Sequence, residues 1–375
     1  MTTTGPKQKP PERPAGSAAA APMPEELNPR RIERRLLQIA VVVAVIAIVV
    51  LVGPGLGSLR SQLAHASPGW VVAGVGFEVL SALAYVVIFR AVFCPRMTWR
   101  LSYQIGMAEQ AANSVLSVSG AGGLALGAWA LHRGGMNTEH IARRTVAFFF
   151  LTSMANVGAV IVLALLYAVG ILQNNRNPAL TYAFGAAAAV ATITVVALPA
   201  VLTHGPAEQW QAQPGSKLAA ALHYVRFSLG QGIRDGLLLL RRRSVGVLVG
   251  SVGTMVFDVA VLGMAFKAVG YSPAPGMLAL GYLIGQLGGN IPVPGGIGGL
   301  DGGLIGVFVL YHQPLAPTTA AVLIYHAIVL WIPALLGSVA FVQLRNTLRR
   351  EARPAAMCAP LAEPIEVARP AVVAQ

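Results

Sequence analysis

Residues 292–303 read Pro-Val-Pro-Gly-Gly-Ile-Gly-Gly-Leu-Asp-Gly-Gly and interrupt an apolar stretch, 276–311, that is long enough to enter a membrane. A spanning helix needs about 20 mainly apolar residues, but no single helix survives this interruption. Pro292 and Pro294 lack the amide hydrogen that continues a helix, so they stop the incoming one. Gly295, Gly296 and Gly298 let the backbone turn tightly. The stretch therefore predicts two half-length helices joined at a tip, a hairpin that returns to the side it came from. Irregular backbone at membrane depth is tolerated only when buried in protein or lining a cavity. The outgoing half-helix starts near Ile297, with its free N–H groups pointing into the interior. Such a terminus attracts anions through its donors and its dipole, and a phosphate headgroup is a natural guest. Asp301 stands in the first turn of that half-helix, with two roles open. It caps the N–H groups itself, or it binds a proton or cation coupled to substrate movement.

The same pattern recurs upstream. Residues 120–127, GAGGLALG, match 296–303, GIGGLDGG, at five of eight positions. Phe77-Glu78-Val79 precedes the first copy as Phe257-Asp258-Val259 precedes the second. Gly120, Gly122 and Gly123 thus mark the tip of another hairpin within 104–131. Uninterrupted apolar runs cover 36–53, 69–93, 145–171, 180–203, 244–270 and 318–343. Two units follow, 69–171 and 244–343, each a span, a hairpin and a span. One full span lies between them, so the first hairpin opens from one side and the second from the other. The expected fold is an all-α polytopic membrane protein with six spanning helices and two glycine-rich re-entrant hairpins in an inverted repeat. Such repeats are typical of transporters with a site near the midplane.

Charge supports this layout and orients it. Only 11% of the 375 residues are charged and 55% are hydrophobic, against roughly a quarter charged in soluble domains. The net charge of +13 does not point to nucleic acid, because its basic residues sit between apolar runs. With the N-terminus inside, only Arg60, Arg176 and Lys267 of the 27 Lys and Arg fall outside the inner segments. The positive-inside rule then places both termini in the cytoplasm, in a bacterial plasma membrane. Residues 1–35 read as a disordered basic tail, 36–343 as the transmembrane domain and 344–375 as a second tail. The connector 204–243 contains an amphipathic stretch, 217–243, whose Lys217, Arg226, Arg234 and Arg241 to Arg243 can reach anionic headgroups. The stretch reads as a surface helix, which Gly230, Gly232 and Gly236 weaken. Cys94 and Cys358 read as two unpaired, inert thiols.

Four acids fall in membrane segments: Glu78, Glu109, Asp258 and Asp301. A charge at the bilayer centre costs about 2.5–3.5 kcal/mol on insertion scales. These groups must be protonated, paired or facing a wet cavity. Glu78 and Asp258 are repeat-related, which suggests proton binding or a symmetric gate, or else a pair of neutral acids held by local bonds. Gln286, Asn290 and Asn113 flank the tips and suit interhelical hydrogen bonds. His326 either meets a phosphate or packs as a neutral ring. Arg133, Arg143 and Arg144 lie at the mouth of the first hairpin, where they could recruit anionic headgroups or simply set topology. No nucleotide, metalloprotease or serine-hydrolase motif is present, and no cofactor or metal is expected.

PVPGGIGGLDGG, with the later YHAIVLWIPALLG and the earlier NSVLSVSGAGGLALGAWALHRGGM, resembles the membrane domain of lysylphosphatidylglycerol synthases, in the stand-alone form without the soluble lysyltransferase domain. The resemblance covers roughly 69–343. It implies movement of a modified anionic lipid across the bilayer, and matches at Pro292, Pro294, Gly295, Gly296, Gly298 and the acid at Asp301. Asp301 stands where the family usually has glutamate, His326 where it often has arginine, and Val118-Ser119 where proline is common. The expectation is a non-enzymatic, flippase-like transporter of an anionic lipid, either a phospholipid or a polyprenyl-phosphate-linked carrier. Pro292, Pro294, Gly295, Gly296, Gly298, Asp301, His326, Gly120, Gly122 and Gly123 would bind substrate, and Glu78 and Asp258 would gate or carry protons. The alternative is a membrane partner that positions a glycosyltransferase or lipid-modifying enzyme.

Overall fold

Each long apolar run becomes a helix, because a helix satisfies every backbone hydrogen bond within its own segment. The computed structural model describes residues 57–116, 121–172, 177–203, 217–290, 299–351 and 358. Its helices are α1 (Gly57–Ala64), α2 (Pro68–Phe93), α3 (Trp99–Leu116), α4 (Ala121–Arg133), α5 (Thr138–Ala168), α6 (Pro178–Thr203), α7 (Lys217–Arg241), α8 (Val245–Ala268), α9 (Pro275–Gly285), α10 (Gly299–Leu310) and α11 (Leu315–Arg350). A 3₁₀ turn, Gln286–Asn290, extends α9. There is no strand among the described residues. Five helices are long and apolar enough to cross a membrane: Pro68–Phe93, Thr138–Ala168, Pro178–Leu198, Val245–Ala268 and Leu315–Arg350. They answer to five of the six expected spans; the sixth, 36–53, lies outside the described residues.

Local chemistry sets the boundaries. Prolines stand at the start of α2 and α9, where a missing amide hydrogen costs nothing. The Asn137 side chain caps α5 by accepting from the Glu139 amide. Gly170 and Gly270 follow α5 and α8 with φ of +77° and +74°, the left-handed conformation that closes a helix.

α2 and α8 form the centre and run antiparallel. Gly246, Gly250 and Gly253 of α8 meet Ala91, Ile88 and Ala84 of α2 in turn. Further along, Phe77 and Phe257 stack with ring centroids 6.3 Å apart. A Cβ at Gly250 would come within 2.5 Å of Ile88, so the close approach depends on that glycine, as at small-residue interfaces between membrane helices. α11 lies against α3, where a Cβ at Gly337 would collide with the Met107 carbonyl oxygen.

Two apolar clusters mark the two ends of the bundle. One gathers Phe93, Leu101, Leu131, Ile141, Val247 and Leu344, and the nearby chain carries most of the arginines. The other gathers Leu59, Tyr167, Val269, Met277 and Tyr311. The start of α3 and the end of α4 share the arginine-end cluster. The start of α9 and the residue after α10 share the opposite one. The two helix pairs thus pack into different apolar clusters, α3–α4 into the first and α9–α10 into the second.

The helix expected over 217–243 forms, as α7, and its glycines, expected to weaken it, seat it. A Cβ at Gly232 would lie 2.5 Å from Val146 Cβ, and one at Gly236 would lie 2.6 Å from Phe150 Cδ1. α7 is thereby drawn against α5, and Arg143 Nη2 bonds both Asp235 carboxylate oxygens at 3.1 Å. One expectation is corrected: the two cysteines are not free, and Cys94 and Cys358 form a disulfide with Cα atoms 5.5 Å apart. A separation of 264 residues in sequence says nothing about distance once the chain has folded.

Candidate functional site

The crossing of α2 and α8 brings Glu78 and Asp258 to the same level. Ser81, one turn beyond Glu78 on α2, donates its hydroxyl to Asp258 Oδ1 at 2.6 Å. Tyr282 of α9 donates to Asp258 Oδ2 at 3.0 Å. Both carboxylate oxygens of Asp258 therefore accept a hydrogen bond, which suits a charged carboxylate. Glu78 is 4% exposed, and its Oε2 is buried with no hydrogen-bond partner. Tyr325 of α11 meets Tyr282 edge to face, with centroids 6.3 Å apart. These contacts join α2, α8, α9 and α11 through polar groups.

Asp301 and His326 come together beside this group. His326 Nδ1 lies 2.8 Å from Asp301 Oδ1, and the two side chains are 13% and 11% exposed. An ionised Asp301 can only accept, so Nδ1 carries the hydrogen and the other nitrogen, Nε2, is left for a different partner. That Nε2 is buried and has none. Asp301 lies in the first turn of α10, as expected.

The first helix pair is organised differently. The Gly123 amide, in the first turns of α4, donates to Asn113 Oδ1 at 2.9 Å, so this donor is already taken. Asn113 therefore closes the α3–α4 pair, as an interhelical hydrogen bond was expected to. Gly122 is buried beside it. One turn along, a Cβ at Gly127 would lie 3.0 Å from Glu109 Oε2. The missing side chain makes room for Glu109.

Gly120, Pro292, Pro294, Gly295, Gly296 and Gly298 lie outside the described residues, as does the Asn290 side chain. Among the described residues no three His, Cys, Asp or Glu side chains converge as a metal site. Arg143, expected at the mouth of the first hairpin, is engaged by Asp235. Arg133 stacks over Trp129, 5.8 Å from the ring centre. Sequence reading missed Ser81, Tyr282 and Tyr325. The spacing of Ser81 from Glu78, three residues on one helical face, was the available signal for the first.

The sequence pattern of one known family, described as "Lysylphosphatidylglycerol synthase TM region", matches residues 35–337. This is most of the chain, and the chain belongs to that family. No curated protein matches it.

Proposed function

We propose that this member of the lysylphosphatidylglycerol synthase transmembrane family is a flippase-like transporter of an anionic lipid, a phospholipid or a polyprenyl-phosphate-linked carrier, and not an enzyme. The observation that carries this reading is the Asp301–His326 pair. A membrane domain so poor in charge keeps an ionisable pair away from lipid only at a cost, and such groups mark substrate or ion pathways. Asp301 fixes the imidazole, and Nε2 is the group left to meet a phosphate oxygen. Pro292, Pro294, Gly295, Gly296 and Gly298, which precede α10 in the sequence, are assigned to receive the headgroup. Glu78 and Asp258 gate the path or carry protons, while the acyl chains stay in lipid.

In this reading the two helix pairs are re-entrant hairpins, and the units 69–171 and 244–343 are an inverted repeat. The antiparallel crossing of α2 and α8 supports it, as does the packing of the two helix pairs into different apolar clusters. The arginine end faces the cytoplasm of a bacterial plasma membrane.

The test is flipping of a fluorescent phosphatidylglycerol in proteoliposomes, read by dithionite quenching of the inner-leaflet label. Wild-type protein moves the label, whereas Asp301→Ala, inserted to the same level, moves it at the rate of empty vesicles. Full transport by Asp301→Ala removes the assigned role. If wild type moves nothing and purifies with a stoichiometric enzyme, the chain is a positioning partner instead.

A further inference from the structure

On the arginine-end side of the molecule, away from Asp301 and His326, two cavities of about 430 and 390 Å³ open between α4, α5, α6 and α7. They share Leu124, Thr145, Val146 and Leu229, so they form one continuous groove. We infer that this groove is a second lipid site, which holds the acyl chains of an anionic phospholipid and takes its headgroup at the arginine end. The inference stands without the transport reading, since none of its residues belongs to that site.

The groove is built rather than left over. Gly232 and Gly236 seat the C-terminal half of α7 on α5, and the Arg143–Asp235 bond fixes that contact. The preceding turns of α7, with Val225, Ser228 and Leu229, stand away from α4. Ala128 and Ala142 are too small to fill the gap. The second cavity continues between α5 and α6, past Phe149, Val157 and Val195. Its length and apolar walls suit alkyl chains.

Ser228 identifies the polar part of the ligand. Serine and threonine hydroxyls inside apolar helices usually bond back to the carbonyl one turn earlier, as Ser102, Ser114, Thr152 and Ser338 do in this chain. Ser228 is 5% exposed, lines the first cavity, and its Oγ is buried with no partner. A hydroxyl in that state costs about 1–3 kcal/mol unless something accepts from it. A lipid ester or headgroup oxygen in the groove is such an acceptor. The sign of the headgroup follows from its neighbour. Arg144 follows the groove-lining Ala142 by two residues and precedes Thr145 on α5, and its Nε is buried and unpartnered. Alkyl chains, an acceptor oxygen and negative charge together describe an anionic phospholipid.

The test uses the full-length protein in detergent, stripped of lipid, and native mass spectrometry with dioleoyl phosphatidylglycerol or dioleoyl phosphatidylcholine. Wild type retains one more phosphatidylglycerol than phosphatidylcholine. Ala142→Trp fills the groove and loses that lipid. Ser228→Ala weakens its binding by roughly three- to tenfold, the worth of one neutral hydrogen bond. Asp301→Ala keeps it, which separates this site from the transport site. If Ala142→Trp does not fold, Ala128→Phe on the opposite wall carries the same expectation. Equal retention of the two lipids, or an unchanged lipid count in the filled variants, overturns the proposal.

Discussion

Asp258 and Glu78 sit on facing helices in one polar group, yet their surroundings are opposite. Asp258 receives two hydroxyl donors, while Glu78 has a buried oxygen that receives none. Neutral amide replacements should separate them. Glu78→Gln keeps shape, and the buried oxygen it replaces has no hydrogen bond to lose, so stability stays within about 0.5 kcal/mol of wild type. Asp258→Asn leaves one acceptor for two donors and turns an NH₂ group toward a hydroxyl, at a cost of about 1–3 kcal/mol. Thermal unfolding in detergent reads the order directly, and an Asp258→Asn protein as stable as Glu78→Gln would remove the distinction. The acids themselves were legible, because charge in an apolar run is conspicuous. Their hydroxyl partners were not: a serine or tyrosine in a membrane helix has many quiet roles, and only the fold shows which oxygen it reaches. The Asp301–His326 bond is the same case, since two residues 25 apart on different helices carry no mark of their meeting.

At the scale of helices, lengths were legible and partners were not. An apolar run of 24 residues announces a helix such as α8, but every face of it is apolar, so periodicity does not say which side meets protein. Glycine does, once the neighbour is known. A Cβ at Gly250 would meet Ile88 at its Cβ, Cα and backbone nitrogen, all within 2.8 Å. Neither helix can yield there without opening the crossing. Gly250→Val therefore destabilises by at least the ~1–3 kcal/mol of an overpacked core. Gly306→Ala, with nothing within 4 Å, is neutral or slightly stabilising, because alanine is the better helix former. Melting temperatures of the two variants check this, and equal values would mean that α2 and α8 do not pack through Gly250. The glycines of α7 teach the same point from the other side. In the sequence they weaken a helix; in the structure they are the surface by which that helix binds α5.

The arrangement of the whole molecule follows from where each helix pair turns. The glycine-proline breaks announced the turns, and the sequence count of arginines announced an inner end. The count alone does not separate a hairpin that returns from two short spans, because both have the same parity. Labelling of single cysteines, in a Cys94→Ser, Cys358→Ser background, separates orientation from return. Arg96→Cys and Glu139→Cys flank the α3–α4 pair, and Ser272→Cys and Leu315→Cys flank the α9–α10 pair; all four positions are exposed. A membrane-impermeant maleimide should label Ser272→Cys and Leu315→Cys on intact cells, and Arg96→Cys and Glu139→Cys only after permeabilisation. The reverse pattern would keep the hairpins and invert the protein. Labelling of Arg96→Cys and Glu139→Cys from opposite sides would make the α3–α4 pair cross the membrane an odd number of times. α5 and all that follows would then change sides, and the two units would no longer be inverted. To distinguish a deep re-entrant tip from two short spans, the same reagent is applied from the far side to Ser117→Cys, which lies between α3 and α4 in the sequence. A re-entrant tip stays inaccessible from that side, because about half of the hydrocarbon thickness still separates it from the far surface; a pair of true spans would present it there.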